Sequence, residues 1–148
     1  MVARAEAIAG VVVAVLLAGC SSPAGQPSDP DAPDDPNVHV YTSNQSFDDP
    51  TADILVTIDG EAVFDGKAEV EGQHNWMLRE AKVAAGRHTV VALERETDAR
   101  ESMAFDVPAG EERWIVVDFW NPMSRGSGEA GSGPGFTISV HEEQVYFA

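Results

Sequence analysis

The sequence is poor in cysteine, in basic residues and in long apolar runs, and each shortage excludes something. A single cysteine among 148 residues rules out an intramolecular disulfide and any cysteine-rich zinc site. Nine basic residues face 25 acidic ones, for a net charge of -16. That balance excludes a nucleic-acid partner, since phosphate binding needs clustered Lys and Arg. No segment sustains a 3.6-residue apolar period, so a helical bundle is not expected. The four histidines, His39, His74, His88 and His141, form no HxH, HExxH or HxxxH pair, and no metal site is expected. No GxSxG elbow is present, and the glycine stretch at 126–135 lacks the Lys-Ser/Thr of a phosphate loop. The adjacent acids Asp48-Asp49, Glu111-Glu112 and Glu142-Glu143 would point to opposite faces of a strand, which separates them as acid/base couples. The expectation is a protein without cofactor that is not an enzyme.

The N-terminus carries a different signal. Ala7 to Ala18 reads AIAGVVVAVLLA, uncharged and apolar, behind Arg4 and Glu6. It is shorter than the ~20 residues that cross a bilayer as a helix, and it fits the core of a secretory signal. It ends in Leu17-Ala18-Gly19-Cys20, followed by Ser21 and Ser22. These residues resemble the lipobox of bacterial lipoprotein precursors, and the chain's lone cysteine stands where that pattern requires one. The resemblance implies diacylglycerol on the Cys20 thiol, cleavage after Gly19 and acylation of the new amino terminus. It also implies a protein tethered to the cell membrane or outer membrane, facing periplasm or exterior.

Residues 23–36, PAGQPSDPDAPDDP, hold five prolines, four aspartates and no base. Proline favours extended backbone and like charges stretch it further, so this reads as a spacer reaching on the order of 40 Å. The division is therefore a signal at 1–19, an anchor and tether at 20–36, and one domain at 37–148, which carries twelve of the net negative charges.

Within that domain short β-branched runs alternate with turn signals. Ile54 to Ile58 followed by Asp59-Gly60 predicts a type I′ hairpin, because both turn residues accept positive φ. Asp65-Gly66 predicts a second turn, and Ala85-Gly86 and Pro108 to Gly110 two more. Val38 to Thr42 reads as a polar edge strand. Trp76 to Val83 alternates weakly; Arg79 to Ala85 is the one place where a helix is conceivable, and its flanks suggest a strand just as well. Trp114 to Trp120 reads as the most apolar, central strand, followed by Phe136 to Val140 and a closing Val145 to Phe147. Residues 121–135 read as a glycine-rich loop with Met123, Arg125 and Glu129 as its only handles. Eight to ten such strands indicate an all-β fold, a single antiparallel β-sandwich. The DG hairpin, the Gly86 turn and the Pro108 turn resemble immunoglobulin-like and transthyretin-like modules of exported bacterial proteins. The Cys-Trp-Cys core of antibody domains is absent.

The candidate site is aromatic. Period two puts Trp114, Val116, Asp118 and Trp120 on one face of a strand and Ile115, Val117 and Phe119 on the other. Two indoles around a carboxylate suit a sugar ring, a peptide or a protein partner, and Asn75 and Trp76 are candidates to join them. His39 and His141 would meet if the first and last strands paired. The sequence thus predicts a membrane-anchored envelope module that contacts another envelope protein or a wall polymer without catalysis. The alternatives are a small-ligand or carbohydrate binder using Trp114, Asp118, Trp120 and Trp76, or a metal-dependent enzyme if histidines converge.

Overall fold

The computed structural model describes residues 33–46, 50–70, 75–121 and 133–147. The lipobox with Cys20, most of the tether, Asp48-Asp49, His74, Met123, Arg125 and Glu129 lie outside the described residues.

Eight strands are described: β1 (Val38–Asn44), β2 (Thr51–Ile58), β3 (Glu61–Glu69), β4 (Met77–Ala81), β5 (Gly86–Glu94), β6 (Arg100–Val107), β7 (Arg113–Trp120) and β8 (Gly135–His141). They form two four-stranded sheets, ordered β4-β1-β7-β8 and β3-β2-β5-β6. The inward residues follow period two. Val38 and Val40, Ile54 and Val56, Val90 and Ala92, and Ile115, Val117 and Phe119 are fully buried between the sheets. The result is the β-sandwich that the alternation predicts, and Trp114 to Trp120 is interior to its sheet, as read from its apolar character.

The Asp59-Gly60 turn is as predicted, with φ of 50° and 87°. Asp59 also locks the hairpin to β5: its Oδ1 accepts the Thr89 N–H at 2.9 Å and its Oδ2 accepts His88 Nδ1 at 2.6 Å. Three expectations need correction. First, Asp65-Gly66 does not turn. β3 continues past it, pairing Asp65 with Leu55 and Gly66 with Ile54, after a bulge that leaves Val63 unpaired. Continuing lets Ala68 reach the core and leaves Asp65 2.7 Å from Arg95, which also holds Asp53. Second, β1 is not an edge. It lies between β4 and β7, and its pairing with β7 is parallel, so the sandwich is not purely antiparallel. Its polar residues alternate outward, a pattern that an interior strand with one solvated face shares with an edge. Third, Val145 to Phe147 is not strand; Arg79 to Ala81 is strand, one of the two readings that the sequence left open there.

The start of the domain is tied down by Asn37. Its amide N–H donates to Ala81 O, its carbonyl accepts Arg113 N–H, and its side chain exchanges two 2.9 Å bonds with Val83.

Candidate functional site

The face opposite the core of the β4-β1-β7-β8 sheet gathers the predicted residues. Cross-strand register sets them in rows: Glu80, His39, Trp114 and His141, then Leu78, Tyr41, Val116 and Ser139, then Ser43, Asp118 and Thr137. Trp120 follows two residues beyond Asp118 on the same face, and Trp76, preceding β4, falls beside Ser43. All three tryptophans of the chain are thus on this outer face, and none is among the buried core residues. Trp120 is 45% exposed, while Trp114 and Trp76 are half-buried. Asn75 turns away to the Glu69 carbonyl, 2.7 Å from its Nδ2.

His39 stacks on Trp114, with ring centroids 5.2 Å apart and planes 15° apart. Its Nδ1 lies 3.1 Å from Glu80 Oε1, while its Nε2 is 3.9 Å from Glu112 Oε2, beyond hydrogen-bond reach. His39 and His141 do not meet, because β7 runs between their strands and Trp114 separates them. That leaves them about 10 Å apart, two strand spacings, too far to share a metal ion. Among the described residues no group of three potential ligands converges.

Asp118 is the electrostatic anomaly of the face. Its Oδ1 is buried without a hydrogen-bond partner. Burial pushes its carboxyl up to about 6. An ionised carboxylate held out of water without a donor opposes folding and is a recurrent property of binding and catalytic sites. Between about pH 4 and pH 6 the folded state keeps a proton that the unfolded chain releases, so stability falls as pH rises through that window. Asp118→Asn should therefore gain about 1–2 kcal/mol at pH 7.5, discounted because the side chain keeps partial contact with water. It should gain nothing at pH 3.5. Urea unfolding of both proteins at the two pH values checks this.

Six contributors lie outside the predicted aromatic site, and of these the sequence singled out only His39 and His141, as a possible pair with each other. His39, Tyr41 and Ser43 were available from the period-two alternation of β1, had that strand been placed inside its sheet. Phe147 carried no local signal; it stacks on Trp76 at 3.9 Å and 16°, and meets Tyr41 edge-on at 5.1 Å and 72°. Ser139 and His141, two apart on β8, place Oγ 2.9 Å from Nε2.

A concavity of about 740 Å³ opens between β3 and the β4–β5 connection and is lined by Asp59, Glu61, Glu80, Lys82 and His88 among others. It lies at the lateral opening of the sandwich, and no tryptophan lines it. Both nitrogens of His88 are engaged there, Nδ1 by Asp59 and Nε2 by the Ala84 carbonyl at 2.8 Å, so neither is available to move a substrate proton. Burial pushes the Asp59 carboxyl up, but the hydrogen bonds from His88 and Thr89 and the His88 charge outweigh it, and the net shift is down. This is the pattern of a structural hydrogen-bonded pair that fixes the turn.

Fold and face together define an all-β sandwich with an aromatic, partly acidic outer sheet. No protein-family model, curated protein or solved structure matches the chain.

Proposed function

We propose that this protein is a lipid-anchored recognition module of the cell envelope, held by Cys20 and the Pro/Asp tether. Its binding surface is the outer face carrying Trp76, Trp114, Asp118 and Trp120. The observation that carries the reading is the gathering of every tryptophan on a face that the opposite sheet does not cover. Indoles in a small domain normally enrich the core; on an open sheet they supply large rigid contact area at low entropic cost.

A wall glycan is the partner this chemistry fits best. Indole faces accept the C–H side of a pyranose ring, and Asp118, Ser139 and His141 offer acceptors and donors to its hydroxyls. An acidic domain behind an acidic segment is repelled by an anionic membrane surface, which favours a partner on the wall side. The role is binding without catalysis. Ser139 and His141 pair on an open strand, and no carboxylate among the described residues orients the imidazole.

Soluble glycan fragments of the cell wall, titrated into the protein by calorimetry, test the reading. Trp120→Ala should weaken binding about tenfold or more while shifting stability by less than about 1 kcal/mol, because its ring is largely exposed. Unchanged affinity in that variant, or no binding by the parent, would reject it.

A further inference from the structure

The chain leaves β8 at His141, beside Trp114, and Phe147 lies against Trp76 and Tyr41 near the opposite edge of the same sheet. Residues 142–147 therefore cross the outer face from β8 to the β1–β4 side. Three strand spacings of ~4.8 Å are well within the ~20 Å reach of six extended residues. Val116, in the row between, is only 7% exposed although it faces away from the other sheet.

The segment is held loosely. Among the described residues no hydrogen bond joins it to the sandwich; the one it makes, from Tyr146 Oη to Gln144 Oε1, is internal. Tyr146 is 82% exposed, and the ring contacts of Phe147 are what fix the segment to the sheet. The contrast with the entry of the chain, where Asn37 makes four hydrogen bonds, is sharp. A stretch without backbone hydrogen bonds opens at low cost.

We propose that residues 142–147 are a built-in competitor for the recognition face, with Phe147 filling the ring slot on Trp76 that an incoming sugar ring must take. This rests on the reading of that face as the binding surface. The contact made by Phe147, a flat ring on an indole face closed at its side by Tyr41, is the contact a pyranose would make. A ligand then sees only the fraction of molecules in which the slot is open, and its apparent affinity is lowered by that fraction.

The probe is a soluble N-acetylglucosamine tetramer, titrated into the full chain and into Phe147→Ala, with Tyr146→Ala as control. Phe147→Ala should bind about 5- to 10-fold more tightly, and Tyr146→Ala should match the parent. In parallel, acrylamide quenching of Trp76 in a chain with Trp114→Phe and Trp120→Phe should rise about twofold or more on adding Phe147→Ala, because a stacked ring shields the indole. Equal or weaker binding by Phe147→Ala, where the parent binds, overturns the competitor and leaves the recognition face standing. Unchanged quenching overturns the occupancy of the slot. Absence of binding by both proteins overturns the glycan reading and the competitor with it.

Discussion

Glu94→Ala should cost about 3 kcal/mol of stability, the largest loss expected from any single truncation outside the apolar core. The side chain is 2% exposed, at the end of β5. Its Oε1 accepts the N–H groups of Asp53 and Glu96, each at 3.2 Å, and its Oε2 accepts the N–H of Thr97 at 2.8 Å and its hydroxyl at 2.7 Å. Burial raises the carboxyl pKa, but these four donors outweigh it and the net shift is below the ordinary glutamate value. The carboxylate thus stitches β2 to the β5–β6 connection, and its removal strands three backbone donors. A small domain has ~5–15 kcal/mol in total, so the loss is a large share. Because the folded carboxyl titrates lower than the unfolded one, its contribution is present above the unfolded value, near 4.5, and disappears as pH falls through the folded value. Urea midpoints should therefore differ widely between parent and Glu94→Ala at pH 7 and converge toward pH 2. Glu94→Gln, which keeps one acceptor oxygen, should fall between them. A Glu94→Ala protein as stable as the parent at pH 7 would contradict the role.

Cys20→Ala should abolish lipid attachment entirely. On the proposed lipidation, the parent matures by losing nineteen residues and gaining acyl chains on Cys20. Each buried methylene contributes ~0.8 kcal/mol, so several chains hold the protein on the membrane where one would let it exchange. With alanine there is no thiol to form the thioether. Intact mass after metabolic labelling with palmitate should then show a labelled mature chain for the parent and an unlabelled chain for the variant. Label in Cys20→Ala, or none in the parent, would end the lipoprotein reading.

The division into strands was legible because burial on one face imposes period two, and that period is strong in Ile54 to Ile58 and Trp114 to Trp120. The face assignment of Trp114, Asp118 and Trp120 followed from the same rule and stands in the structure. What local pattern cannot carry is which strands neighbour one another. The parallel pairing of β1 with β7 joins residues more than 70 positions apart, so the meeting of His39 and Trp114 was hidden. Asp65-Gly66 misled for a related reason: a turn dipeptide yields when the partner strand still has residues to pair. The ERETDAR stretch after Leu93 carries no apolar alternation, and the burial of Glu94 within it depends on backbone donors that no side-chain pattern records. Phe147 was out of reach because its partners lie on β1 and beside β4, across the whole sheet from where the chain leaves β8.

The proposed recognition surface is one face of one sheet, and the chain's own tryptophans report on it. Each indole Nε1–H gives a separate signal in a proton–nitrogen correlation spectrum, and all three indoles sit on the outer face of the β4-β1-β7-β8 sheet. Titrating the ¹⁵N-labelled protein with soluble wall glycan should move all three indole signals together along one saturating curve. Saturable binding that leaves all three indole signals in place would put recognition elsewhere on the molecule and contradict the account.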